Sequence, residues 1–368
     1  MRSNRTLVVA AILAGAMLST SASAQSNIDR LKFFGFLNQG FGVAGEMPIL
    51  GLAKDVTTDY RAAALQLRFE ISPTDNIVLQ AGARSLGTSP LGAAPGAVSL
   101  DWAFYHHRFD HVSARVGRIP APFGFLSERR EVGTQLPFYR APAGYYIEGL
   151  RSIDGAMATS DLSFAGGSLE TSVFGGGTNA SILTWLPPGY PIAVVNTQLR
   201  FERMFGAQVV YSTPIDGVRL IGGISSLRVL DTAQTQLAPA ITSVTMSGGL
   251  EARFDRAFAR GESRRVKSGP TSRTYNYYGQ FGVRPIGNLW INAQGDFTST
   301  EEYSGATKSY PSRLSSADRA LGLSYQLAQN VVAKLEQHWA KGGVDAFVAP
   351  TADFPYAHYS IASFAVSF

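Results

Sequence analysis

Tyr359-Ser360-Ile361-Ala362-Ser363-Phe364-Ala365-Val366-Ser367-Phe368 are the last ten residues of the chain, and they decide which solvent the rest must be read against. A β-strand turns successive side chains to opposite faces. Phe364, Val366 and Phe368 therefore share one face, and Ser363, Ala365 and Ser367 share the other. At the edge of a water-soluble sheet, a greasy face beside unpaired backbone would template aggregation. Facing lipid, and paired with the first strand, the same pattern leaves no backbone group unsatisfied in the bilayer. The expectation is an all-β protein: a single transmembrane antiparallel β-barrel.

The N-terminus agrees. Arg2 and Arg5 precede the apolar run Leu7 to Leu18, and Ser21-Ala22-Ser23-Ala24 follows it. A basic segment, an apolar segment and a small-residue site form a secretory signal. The run is shorter than the ~20 apolar residues of a spanning helix. Residues 1–24 are read as a signal peptide cleaved near Ala24, and 25–368 as a barrel in the outer membrane of a Gram-negative bacterium. Charged residues make up only 16% of the chain against 45% apolar, below the ~25% charge of soluble domains. Cysteine is absent, so no disulfide framework supports an exported chain. Without Arg2 and Arg5, the 32 Lys and Arg fall to 30 against 27 Asp and Glu. That balance is too mild to argue for nucleic acid, no basic run is interleaved with aromatics, and no nucleic-acid partner is expected.

Alternation runs through the chain. In Leu65-Gln66-Leu67-Arg68-Phe69-Glu70-Ile71 the odd positions are apolar and the even ones polar. Leu199-Arg200-Phe201-Glu202 repeats the scheme. Val98 to Tyr105 reads as one apolar face (98, 100, 102, 104) backed by Asp101 and Tyr105. Short links with turn chemistry fall at 72–76, 110–111, 214–217, 285–288 and 328–330. Longer ones fall near 44–58, 85–97, 119–149, 176–191, 231–240, 261–272, 301–315 and 342–357. Short turns alternating with long loops are the rhythm of a bacterial barrel, and the count is about 16 strands, in an even range of about 14 to 18. Arg264-Arg265-Val266-Lys267 reads as a solvated loop, and a strand over 253–260 is weak.

One link stands apart. Residues 119–149 are too long for filler, since loops beyond ~12–15 residues are usually functional. The segment holds four prolines, several aromatics and opposed charges. "GRIPAPFGFLSERREVGTQLPFYRAPAGYY" at 117–146 resembles the signature of a group of Gram-negative outer-membrane porins, as do "FFGFLNQGFGVAG" at 33–45 and the terminal "SFAVSF". It departs from that group at Ser127-Glu128-Arg129-Arg130, where Asn-Glu-aromatic-Arg is the pattern. The resemblance implies a diffusion channel for small hydrophilic solutes, compatible with a homotrimer and surrounded by outer-membrane lipid. Its third long loop would fold into the lumen. The resemblance also implies that the barrel assembly machinery reads Phe364, Val366 and Phe368.

Charge assigns the selectivity. Arg118, Arg129, Arg130, Arg140 and Arg151 outnumber Glu128, Glu131 and Glu148 by two in this region. Alternation turns Arg68, Arg84 and Arg115 toward the lumen, with Glu70 and Asp101 opposing. Arginine rings in a pore favour anions, so Arg118, Glu128, Arg129, Arg130, Glu131, Arg140, Arg68, Arg84 and Arg115 are the expected constriction and selectivity residues. The other reading of the same residues is that Glu128, Glu131 and Glu148 pair with the arginines to pin the loop. No cofactor, metal site or catalytic residue is expected: His106 and His107 alternate faces, and no nucleophile elbow occurs. Two rivals remain, an outer-membrane lipase or protease built on His338, His358, Ser360 and Asp345, and a non-conducting structural or adhesion barrel.

Overall fold

The structure, a computed structural model, describes residues 30–89, 97–146, 149–185, 194–231, 240–304, 307–310, 316–342 and 356–368. The expected signal peptide, Glu148 and Asp345 lie outside them. The first strands are β1 (Leu31–Ala44), β2 (Thr57–Glu70), β3 (Asp75–Leu86), β4 (Val98–Arg108) and β5 (Val112–Pro120). After a 3₁₀ turn at Gly133–Gln135 come β6 (Ser152–Phe164), β7 (Gly167–Trp185), β8 (Val194–Ser212) and β9 (Val218–Asp231). Next are β10 (Ile241–Arg253), β11 (Ala257–Ser268), β12 (Ser272–Ile286) and β13 (Leu289–Ser304). The last are β14 (Thr307–Tyr310), β15 (Ser316–Ala328), β16 (Val331–Gly342) and β17 (Tyr356–Ser367).

Neighbours in sequence pair antiparallel all round, and β17 pairs with β1 from Phe36↔Ser367 to Ala44↔Tyr359. The backbones of Gly35 and Phe368 exchange two further hydrogen bonds at 2.9 and 3.0 Å. The sheet is closed. Four-residue β14 bonds only the far end of β13, whose remaining length pairs with β15. Leaving β14 aside, the ring has sixteen strands, as the spacing of turns predicts.

Alternation sorts the two faces. On β1, Phe33, Leu37, Phe41 and Val43 are exposed while Phe36, Asn38 and Ala44 are buried. Phe364 and Phe368 are exposed on the closing strand, and Ser363 and Ala365 buried. The outward apolar belt is thus the face that lipid covers in such barrels. Among the aromatics, Tyr277 and Trp339 belong to the belt, whereas Phe104, Tyr278 and Tyr359 are buried.

Three expectations are corrected. The 261–272 link is mostly strand: β11 runs to Ser268 and β12 begins at Ser272. Charges fit there because the inner face is polar, and Arg264 rests on the Tyr145 ring at 4.7 Å while donating to Asn276 at 3.2 Å. The weak strand over 253–260 is in fact the end of β10, a turn, and the start of β11. On β4 a bulge opposite Gln80 and Ala81 resets the alternation. Asp101 is buried against Arg84, yet Trp102, Phe104 and His106 also line an interior cavity while Leu100 and Tyr105 are exposed. One extra residue in a strand turns everything beyond it to the other face.

Short turns follow local chemistry. Between Phe164 and Gly167, Ala165 and Gly166 both have positive φ, +47° and +77°. That is the geometry of the two-residue hairpin turn whose twist matches its strands.

Candidate pore constriction

The long segment after β5 is held from many sides. Beyond Pro120, Phe123 donates its backbone N–H to Ser127 Oγ at 2.8 Å, and that hydroxyl donates to the Gly124 carbonyl at 3.0 Å. Gly124 has φ +105°, and a Cβ there would stand 2.5 Å from a Glu262 carboxylate oxygen. Only glycine suits this approach. The Phe125 N–H donates to the same carboxylate at 3.1 Å. Tyr146 donates its hydroxyl to Glu262 and accepts from the Leu126 N–H at 2.9 Å. Burial, with the Glu262 charge beside it, pushes the Tyr146 hydroxyl pKa up, so it stays a donor.

Further along, the segment meets the opposite side of the ring. Asn38 of β1 donates to the Glu131 carbonyl and accepts from the Gly133 N–H at 3.2 Å. Lys334 of β16 donates to the Phe138 carbonyl at 2.7 Å, and Glu336 accepts from the Tyr139 N–H at 2.6 Å. The Tyr139 hydroxyl donates to the Tyr60 carbonyl at 2.9 Å. On β12, Asn276 donates to the Gly144 carbonyl at 2.6 Å. The wall partners Asn38, Tyr60, Asn276, Lys334 and Glu336 are all buried residues of the inner face.

The expected site residues separate into groups. Arg84 donates Nη1 and Nη2 to the two carboxylate oxygens of Asp101 at 2.9 and 2.7 Å, and Nε to Glu131 at 2.9 Å. Arg151 donates to the same Glu131 carboxylate at 2.8 Å. Burial alone would raise the Glu131 pKa, but Arg151 and Arg84 hold the carboxyl well below the usual carboxylate range. Arg130, which donates to the Leu150 carbonyl at 2.8 Å, and Arg140, which donates to the Tyr60 hydroxyl at 2.5 Å, border the same space. Arg84, Arg130, Arg140, Arg151 and Glu131 thus line one cavity of about 60 Å³. Four guanidiniums and the Glu131 carboxylate share that space, with Asp101 bound behind Arg84.

Arg68, Arg115 and Glu128 line a different and larger cavity, and Arg115 pairs with Glu128 at 2.6 Å. Arg129 reaches the far wall, 3.4 Å from Glu251, which also binds Arg219 and Arg260. Arg118 leaves the group. By register it shares the face of Val116 and Tyr105 rather than that of Arg115 and His106, and it lies 3.6 Å from Asp154. The positive φ of +129° at Gly117 lies between the two arginines.

Sequence reasoning missed Arg108, Glu251, Asn38, Lys334 and Glu336. Arg219, Glu251 and Arg260 occupy one row across three strands, a pattern visible only once register is known. The histidines separate: His338 bonds Asp318 at 2.9 Å, and His358 pairs with Glu46 at 3.1 Å. Ser360 donates to Gln337 at 2.6 Å.

No family model and no curated protein matches the chain. Solved structures do match. OmpF of Salmonella typhi, in complex with daunomycin, superimposes with a TM-score of 0.59 at 11% identity, over 92% of this chain and 97% of its own. The anion-selective porin from Comamonas acidovorans gives 0.57 at 12%, over 92% and 99%. The trimer form of OmpT, an outer membrane protein of Vibrio cholerae, gives 0.55 at 10%, over the same shares. At such identities the likeness is one of fold. The chain has the porin-like sixteen-stranded barrel.

Proposed function

We propose that the protein is an outer-membrane porin, a passive channel for small hydrophilic solutes with a mild preference for anions. The segment following β5 is its constriction. The observation that carries this reading is the narrow cavity lined by the guanidiniums of Arg84, Arg130, Arg140 and Arg151 beside Glu131. Fixed guanidiniums in a narrow passage raise the local anion concentration. One of the solved barrels of like fold is described as anion-selective.

No chemistry is required of such a channel, and solute must bind weakly enough to leave. The chain is exported with its signal peptide removed near Ala24, delivered to the outer membrane by the barrel assembly machinery, and assembled there as a trimer. Phe368 completes the closing strand beside Gly35, so Phe368→Ala should lower the yield of folded barrel while leaving the selectivity of assembled channels unchanged.

Conductance of the refolded protein in planar bilayers tests the channel directly. Stepwise current increments are expected, and silence over many insertions would overturn the reading. Lipase and protease assays on the same preparation discriminate the enzymatic rival.

A further inference from the structure

Beneath the segment, toward the short-turn end of the β2 to β5 wall, lies a separate cavity of about 290 Å³. Arg68, Arg108 and Arg115 are in its lining, and Trp102 and Phe104 contribute aromatic surface to it. Two carboxylates share the lining and are already engaged, Glu70 with Lys32 at 2.6 Å and Glu128 with Arg115 at 2.6 Å. Among the described residues the Arg108 guanidinium donates only to the Pro73 carbonyl, at 3.3 Å. Among the described residues Arg68 has no carboxylate partner, and its Nε is buried without an acceptor.

Two of these guanidiniums are held on aromatic rings. Arg68 lies 5.7 Å from the Phe34 centroid and Arg115 lies 5.6 Å from that of Phe104. Stacking fixes the donor fork before any ligand arrives. A buried N–H without a partner is costly, and an oxyanion relieves that cost better than a neutral group does. The aromatic wall adds contact for a carbon body, which inorganic ions lack.

We infer that this cavity is a binding site for small organic carboxylates, the anionic head held by Arg68 and Arg108 and the apolar body set against Trp102 and Phe104. The inference rests on the channel reading for the route by which solute arrives, but binding itself requires no conduction. It makes transport of such anions saturable, whereas the constriction above only filters by size and charge.

Calorimetric titration of the folded, detergent-solubilised protein at low salt tests it, with butyrate, inorganic phosphate and uncharged butyramide as probes. Saturable butyrate binding is expected, with phosphate weaker and butyramide giving no binding heat. Arg68→Gln should weaken butyrate about tenfold or more, and Arg108→Gln should act in the same direction, with heat-modifiable migration confirming that each variant is folded. Butyrate heats that never saturate, or that neither substitution changes, would overturn the site. Phosphate binding as tightly as butyrate would overturn the role of the aromatic wall and with it the inference. Bilayer conductance on the same samples separates the two readings: binding without conductance sinks the channel and leaves the site, and conductance without butyrate binding does the reverse.

Discussion

Two sets of arginines reach into the same barrel and meet different fates. Arg84 is buried and shared between Asp101 and Glu131, with Arg151 closing the group. Arg68 and Arg108, on the same wall nearer the short turns, have no carboxylate partner among the described residues. In the first set Arg84 and Arg151 hold the segment to the wall through Asp101 and Glu131, while still lining the passage beside Arg130 and Arg140. The second is available to whatever enters. Counting arginines along a loop does not distinguish fastening from selection; what distinguishes them is the distance to the nearest carboxylate.

Arg84→Ala leaves buried Asp101 without its cation and half-buried Glu131 with Arg151, and removal of one partner from a buried group costs about 3–5 kcal/mol. A fall of that size in denaturant unfolding stability, with noisier single-channel currents, is expected. A variant as stable and as quiet as the parent would show that the group fastens nothing.

Acid offers a milder challenge. The Glu131 pKa is depressed in the folded protein, so its contribution is fully present above the ordinary carboxylate value of ~4.3 and is lost as pH falls through the lower folded value. Currents should stay quiet down to about pH 4 and become noisy only below it. In Arg84→Ala the onset should move to higher pH, because part of the depression is gone.

Smaller still is Tyr139→Phe, which removes the hydroxyl bonded to the Tyr60 carbonyl. A loss of about 1 kcal/mol is expected in the same unfolding measurement. Least of all should come from Arg118→Gln. Arg118 shares the outward face and lies 3.6 Å from a half-exposed Asp154, so stability should stay within about 0.5 kcal/mol and selectivity should not move.

Much of this arrangement was legible beforehand. The closing strand, the sixteen-strand count and the special segment after β5 follow from alternation and turn chemistry, which are local. Arg68, Arg84 and Arg115 were assigned inward correctly because β2, β3 and the first part of β5 alternate without interruption. The failures have one cause. A bulge at Asp101 and the irregular backbone at Gly117 each change which face the next residues occupy. Arg108 was hidden by the first, and Arg118 was misplaced beside the second. Charges in β11 looked like a loop because strand charges are rare where both faces are apolar, and here one face is a polar interior.

The most direct test of the division is the reversal potential in a KCl gradient, measured on the parent channel and on an Arg68→Gln/Arg108→Gln double variant. The parent should show the sign of anion preference, and the double variant should move toward zero while its unfolding stability stays near that of the parent. A cation preference in the parent, or a potential unmoved by losing both open arginines, would contradict the account.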